Sequence, residues 1–100
     1  MIEVSPEELK EKIQNKETMM VDFYATWCIP CGRLIEELND IDTEVPVYKI
    51  NVEDDVEFSK SLGIRSVPTV KIFKEGQPIS TMVGFKPKSE IKNILSESLS

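Results

Sequence analysis

The sequence has 100 residues, 40% of them hydrophobic and 30% charged, which is typical of one globular domain, and we predict a single domain over residues 1–100. Lys and Arg number 12 and Asp and Glu 18, a net charge of 12 − 18 = −6, which argues against nucleic acid or an anionic membrane as a partner. No segment approaches the roughly 18 apolar residues of a membrane span or has the basic start and apolar run of a secretory signal, so we expect a cytoplasmic protein.

The N-terminal segment predicts a strand and a helix. Residues 2–4 predict a very short first strand. Ser5 and Glu8 have the spacing of a capping box, in which each side chain accepts a hydrogen bond from the other residue's backbone. Apolar residues four apart follow on one helical face. We therefore predict a helix over residues 6–16.

The next three segments alternate between strand and helix. Residues 19–25 are apolar except for Asp22, and apolar side chains on both faces predict a strand that is covered on both sides. Apolar residues then recur at helical spacing and predict a helix that begins between residues 28 and 30 and ends near residue 43. Residues 46–52 alternate between apolar and polar and predict another strand.

The C-terminal half predicts a short helix, a hairpin and a last helix. Residues 56–62 predict the short helix, closed by Gly63 just beyond its end. Residues 69–74 and 78–83 flank a glycine-containing turn at residues 75–77, a pattern that indicates an antiparallel hairpin.

Apolar residues on one helical face of residues 88–99 predict the final helix. The complete order is β α β α β α β β α. Alternating strands and helices that end in a hairpin predict an α/β fold with a mixed central sheet and helices on both of its faces.

Cys28 and Cys31 lie where the buried strand ends and the next helix begins. Functional sites collect at this end of strands in α/β sheets. A helix N-terminus carries about half a positive charge, which favours the reactive thiolate over the thiol. Pro30 suits the first helical turn, where no backbone N–H is needed. We expect Cys28 to be the more exposed and to attack a substrate disulfide, and Cys31 to attack Cys28 and release the reduced substrate.

A structural disulfide and a zinc site are the alternatives for this pair. Disulfide staples are rare in a reducing compartment. A structural zinc site takes four ligands, usually Cys and His, whereas the chain has two Cys and no His. We therefore predict a redox-active pair, without a metal and without a separate cofactor.

Four segments resemble the thioredoxin family. Residues 21–31, VDFYATWCIPC, are similar to its active-site segment, and residues 67–69, VPT, to its cis-proline segment. Residues 73–76 and 83–84 resemble its last hairpin. The resemblance extends over residues 5–95 and implies the thioredoxin fold and the reduction of protein disulfides.

The resemblance implies roles for two charged residues of the strands. In the family, an aspartate at the position of Asp22 accepts the proton of the inner thiol through a water, and a buried carboxyl with a raised pKa suits that task. The alternative is that Asp22 faces solvent at a sheet edge. Lys49 occupies the position of the family's partner to that aspartate; the alternative is an ordinary surface lysine.

The resemblance also implies a substrate-binding surface. Although most X–Pro bonds are trans, the family's proline at the position of Pro68 is cis and lies against the disulfide. The backbone of Val67 is then expected to pair with an extended substrate chain. Trp27 is expected to form a partly exposed wall of the site, although core burial is the alternative, and Gly84 completes the surface.

The resemblance implies disulfide-containing protein substrates and a thioredoxin reductase or an equivalent electron donor, and we expect a monomer. Two departures affect the redox poise. Ile29 stands where most members have Gly, and Gly32 stands where Lys or Arg is usual. A glutaredoxin-like or disulfide-forming variant, and a binding module without turnover, remain the alternative functions.

Overall fold

The structure is a computed structural model that describes residues 1–100. It contains five strands and four α-helices, in the predicted order. The elements are β1 (Ile2–Glu3), α1 (Pro6–Gln14), β2 (Met19–Tyr24), α2 (Ile29–Asn39), β3 (Val47–Asn51), α3 (Val56–Ser61), β4 (Thr69–Lys74), β5 (Gln77–Val83) and α4 (Lys88–Leu99). One turn of 3₁₀ helix, Val52–Asp54, joins β3 to α3 and was not predicted.

The strands form one mixed sheet in the order β1-β3-β2-β4-β5. β1 and β2 both run parallel to β3, whereas β4 is antiparallel to β2 and to β5. All six residues of the central strand β2 are buried, which explains why its sequence is apolar on both faces. The predicted α/β fold with a mixed central sheet is confirmed.

Side chains of opposite parity along β2 belong to two separate cores. Met19, Val21 and Phe23 pack with residues of α1 and α3, including Leu9 and Phe58. Met20 packs on the other face with residues of α2 and α4; they include Leu34, Leu38, Ile91 and Leu95. The predicted arrangement of helices on both faces is therefore confirmed, and α2 covers the face that carries Asp22.

The helix starts match the sequence better than the helix ends do. The Ser5–Glu8 capping box is present, with hydrogen bonds of 2.9 and 3.1 Å. However, α1 ends at Gln14, two residues before the predicted end, because Lys16 has a φ of 58° that no helix allows. α2 ends at Asn39 rather than near residue 43, where Thr43 accepts a hydrogen bond from the backbone of Val45 instead.

The β4–β5 hairpin turns through two residues rather than the predicted three. Glu75 and Gly76 have φ values of 54° and 80°, the positive pair that matches the twist of a tight hairpin. Gly76 also lies against α1, because a Cβ placed there would be 2.6 Å from the carbonyl oxygen of Ile13. This turn therefore needs glycine for both its conformation and its close packing.

Gly76→Ala is expected to lower the free energy of unfolding by at least about 2 kcal/mol, because it adds a backbone clash to the cost of positive φ. Chemical denaturation measures this loss. Gly63→Ala is the matched control, since Gly63 has a φ of 82° but no atom within 4 Å of the added Cβ; we expect it to cost about half as much. Equal losses in both variants would contradict the role of the contact with Ile13.

Candidate active site

The two cysteines lie at the junction of the central strand and the helix that follows it. β2 ends at Tyr24, Cys28 is the N-cap residue of α2, and Cys31 lies in its first turn. Their Cα atoms are 5.2 Å apart and their sulfur atoms form a disulfide. The structure therefore holds the oxidised form of the pair.

The two sulfur atoms differ in their surroundings. Cys28 is 9% exposed and Cys31 is 1% exposed. The backbone N–H of Cys31 donates a hydrogen bond of 3.3 Å to the Sγ atom of Cys28. Together with the helix dipole, this donor stabilises negative charge on the outer sulfur when the disulfide is opened. The roles of attacking and resolving thiol stay a prediction, which this difference supports.

The remaining residues of the first turn of α2 leave its surface open. Pro30 occupies a position whose N–H has no helical acceptor, so no hydrogen bond is lost there. The side chain of Ile29 is 78% exposed, and a Cβ added to Gly32 would meet no atom within 4 Å. The guanidinium of Arg33 lies 4.7 Å from the centre of the Phe85 ring, on which it stacks.

Asp22 is fully buried in β2, and neither of its carboxylate oxygens has a hydrogen-bond partner. The alternative of a solvent-facing residue at a sheet edge is therefore wrong. Burial raises the pKa of Asp22 to about 7, and the nearby charge of Lys49 acts in the opposite direction. Lys49 is half-buried and is the register partner of Asp22 on β3. The structure thus brings the predicted pair together on the face that α2 covers.

The predicted cis-proline segment leads into β4. The Val67–Pro68 peptide bond is cis, and Pro68 is buried. The carbonyl oxygen of Pro68 accepts a hydrogen bond of 2.9 Å from the backbone of Gly84, which ties the end of β5 to this segment. The N–H and C=O of Val67 make no backbone hydrogen bond within the fold. They therefore remain available to an added chain.

An apolar groove of about 370 Å³ lies beside Trp27, the residue that directly precedes Cys28. Trp27 forms one wall and is 69% exposed, so the alternative that it belongs to the core is wrong. The groove is lined by Trp27, Val52, Val56, Ser59, Lys60, Ile64, Arg65, Ser66 and Val67.

Most residues on the α3 side of this groove are not among those predicted from the sequence. Val52 and Val56 line it from the unpredicted 3₁₀ turn and from the start of α3, and Lys60 and Arg65 supply positive charge. The available signal is that Val52 directly follows the C-terminal end of β3, at the edge of the sheet where the parallel strand β2 also ends.

Two general features of the chain bear on its chemistry. No three side chains of His, Cys, Asp or Glu come close enough together to share a metal ion. None of the four helices combines the length and the apolar character that crossing a lipid bilayer requires.

A cysteine pair that forms a disulfide at the N-terminus of a helix, just beyond the central strand of a mixed α/β sheet, can exchange its disulfide bond with that of another molecule. The protein is therefore a thiol–disulfide oxidoreductase. The family model named Thioredoxin matches residues 1–97. This chain belongs to the thioredoxin family, and it is a protein-disulfide reductase with a redox-active Cys28–Cys31 pair.

Relatives in algae and bacteria support this assignment. The chain is 36% identical to a thioredoxin of Pyropia yezoensis over 95 residues, which cover 91% of this chain and 89% of that protein. It is 33% identical to a thioredoxin of Staphylococcus haemolyticus, with coverage of 99% and 98%. The crystal structure of chloroplastic thioredoxin z has a TM-score of 0.83 and 34% identity, and covers 98% of this chain and 93% of that one.

Proposed function

We propose that the chain reduces protein disulfides with Cys28 as the attacking thiol and Cys31 as the resolving thiol. The observation that carries this proposal is the greater exposure of Cys28 at the N-terminus of α2. A substrate disulfide reaches the outer sulfur first, and the backbone donor of Cys31 favours the thiolate there.

In the first step, the Cys28 thiolate attacks one sulfur of the substrate disulfide. A bond forms between that sulfur and the Sγ atom of Cys28, and the substrate S–S bond breaks. The second substrate sulfur leaves with the electron pair of that bond and takes up a proton. The product is a mixed disulfide between the protein and its substrate.

In the second step, Cys31 resolves the mixed disulfide. Asp22 accepts the proton of the Cys31 thiol, because burial raises the pKa of this carboxyl to about 7, close to neutral pH. The Cys31 thiolate attacks the Sγ atom of Cys28, the intramolecular disulfide forms, and the substrate leaves as a thiolate. The substrate has then gained two electrons, and an electron donor must return the pair to the dithiol.

The position of Asp22 suits this role. Cys31, Leu34 and Leu38 form the buried face of α2, and that face packs on the side of β2 to which Met20 contributes. Asp22 has the same parity as Met20 and lies on the same side of the strand. Lys49 opposes the effect of burial on Asp22 and keeps its pKa near neutrality.

The substrate binds as an extended chain along the free backbone of Val67. It lies between the exposed ring of Trp27 and the place where Pro68 and Gly84 are hydrogen-bonded to each other. The two unpaired backbone groups of Val67 support this arrangement. Apolar substrate side chains then fill the groove beside Trp27. Pro30 supports the site by starting α2 without an unpaired donor.

The wider assignment follows from the family. Membership of the thioredoxin family implies disulfide-containing protein substrates and a reductase partner. For this chain we propose a thioredoxin reductase or an equivalent donor, no cofactor besides the cysteine pair, and a single monomeric domain over residues 1–100 in the cytoplasm. Neither nucleic acid nor a membrane is expected as a partner, since the net charge is −6.

Trapping the intermediate tests the order of the two thiols. Reduced Cys31→Ser protein, incubated with insulin, is expected to accumulate a mixed disulfide on Cys28, because serine cannot resolve it. Non-reducing electrophoresis detects the adduct, and dithiothreitol cleaves it. The matched variant Cys28→Ser keeps only the 1% exposed thiol and should trap little. Equal trapping by both variants would refute the assigned order.

A further inference from the structure

A row of charged side chains crosses three neighbouring strands of the sheet. Glu3 on β1 is the register partner of Lys49 on β3, and Lys49 is the register partner of Asp22 on β2. Register partners in adjacent strands project from the same face of the sheet. Lys49 therefore lies between two carboxylates, and each of them attracts its ammonium.

Of the two carboxylates, Glu3 is the more favourable ion-pair partner for Lys49. Glu3 is exposed, whereas Asp22 is fully buried, and an ion pair costs less desolvation near the surface than in the interior. Nevertheless, Lys49 takes part in none of the salt bridges of the fold. Its Nζ atom lies 5.6 Å from the centre of the Tyr24 ring instead.

Tyr24 contacts two members of this row, Glu3 and Lys49. It follows Asp22 by two residues and projects from the same face of β2. Its hydroxyl donates a hydrogen bond of 2.5 Å to the Oε2 atom of Glu3. Tyr24 is 8% exposed and belongs to the cluster of buried side chains around Cys28 and Cys31. The side chain therefore extends from the surroundings of the disulfide across β3 to β1.

We propose that Tyr24 is a positioning residue for Asp22: its hydroxyl engages Glu3 and its ring holds the Lys49 ammonium, so that this charge stays available to Asp22. The hydrogen bond occupies the competing carboxylate, and the ring attracts the ammonium through a cation–π contact. The inference rests on the proposed role of Asp22 as proton acceptor and adds a control of its charge.

The pKa shifts of Tyr24 and Asp22 agree with this arrangement of the row. Burial, and then the hydrogen bond to Glu3, raise the pKa of Tyr24, so its hydroxyl remains a donor at neutral pH. Lys49 is the charge that lowers the pKa of Asp22. Besides these groups, Asp54 of the 3₁₀ turn also acts on Tyr24, and α2 contributes the two cysteines.

Tyr24→Phe tests the proposal because it keeps the ring and removes only the hydroxyl. Glu3 is then free to attract Lys49, and we expect the pKa of Asp22 to rise by about 0.5 to 1 unit. The measurement is the pH titration of the Asp22 carboxyl carbon by NMR in the oxidised protein, where the disulfide-bonded cysteines do not titrate.

A second substitution separates this effect from a general loss of packing. Adding Glu3→Gln to Tyr24→Phe removes the competing charge and is expected to return the pKa of Asp22 to within about 0.2 units of the parent value. Glu3→Gln alone changes an exposed residue, and the glutamine oxygen can still accept the hydrogen bond of the Tyr24 hydroxyl. It should leave the pKa of Asp22 unchanged or lower it.

The chain offers a matched control on the other face of the sheet. The Tyr48 hydroxyl donates a hydrogen bond to Glu17, and the Nζ atom of Lys12 lies 4.4 Å from the centre of the Tyr48 ring. Tyr48 belongs to the core formed with Leu9, away from Asp22. Tyr48→Phe therefore removes an equivalent bond and should not move the Asp22 titration.

An unchanged pKa of Asp22 in Tyr24→Phe, a rise in Glu3→Gln alone, or a rise in Tyr24→Phe that Glu3→Gln does not reverse would overturn the inference. Failure of the proposed function is distinguishable. If Asp22→Asn reduces insulin as fast as the parent at every pH, Asp22 is not the proton acceptor, while the NMR titration still decides whether Tyr24 positions Lys49.

Discussion

Cys28→Ser is expected to slow the reduction of insulin disulfides by at least about a hundredfold, a loss of about 3 kcal/mol in transition-state stabilisation. A serine oxygen cannot form a disulfide, so the mixed-disulfide intermediate cannot arise at this position. The remaining thiol, Cys31, is 1% exposed and has no route to a folded substrate. Insulin precipitation in the presence of dithiothreitol measures the rate.

Two controls make this result specific to the outer thiol. Circular dichroism of Cys28→Ser checks that the fold is retained. Thr26→Ser changes an exposed side chain two residues before Cys28 and should keep the parent rate. If Cys28→Ser reduces insulin at the parent rate, the attacking group lies elsewhere and the proposed mechanism fails.

Asp22→Asn is expected to raise the free energy of unfolding by about 4 kcal/mol above about pH 8, and to change it little near pH 4. Burial raises the pKa of Asp22 from 3.8 to about 7 in the folded protein. Below pH 3.8 the carboxyl is protonated in both the folded and unfolded states. Between pH 3.8 and about 7, Asp22 ionises in the unfolded chain but stays protonated in the folded protein. Ionisation then stabilises only the unfolded state, so the free energy of unfolding of the parent falls until the folded carboxyl also ionises.

The difference between parent and variant isolates this contribution, because the other carboxyl groups titrate in both proteins. Urea denaturation at several pH values measures it. Asp42→Asn is the matched control: Asp42 is exposed, and its replacement should stay within about 0.5 kcal/mol of the parent at each pH. A stabilisation by Asp22→Asn that is the same at pH 4 and pH 9 would contradict the raised pKa.

The stability cost and the proposed function of Asp22 have the same physical origin. A carboxyl without hydrogen-bond partners in the interior destabilises the folded protein once it is ionised. The same burial brings its pKa close to neutral pH, where a proton acceptor for the Cys31 thiol is most effective. We therefore expect substitutions of Asp22 to exchange activity for stability.

Local sequence patterns specify much of this fold without reference to any tertiary contact. The apolar run of β2, the capping box at Ser5 and the glycine after α3 are each specified by a few neighbouring residues. In contrast, α1 and α2 end before the residues that the apolar spacing predicts, at Gln14 and Asn39. Helical spacing of apolar residues continues beyond the point at which caps and local side-chain bonds end a helix.

At the active site, the redox chemistry follows from the sequence alone. The chain has two cysteines separated by two residues at the start of a helix, and it has no histidine. This pattern predicts disulfide exchange. It also indicated Asp22, because a charged residue in an otherwise apolar strand requires an explanation.

The groups that surround these residues are set by the folding of the chain as a whole. The register of three strands places Lys49 between Asp22 and Glu3, and the Tyr24 hydroxyl reaches Glu3 from 21 residues away in the chain. The groove beside Trp27 likewise joins α3 to the segment before β4. Local patterns cannot specify such contacts, since register and packing depend on side chains that are distant in sequence and meet only in the folded sheet.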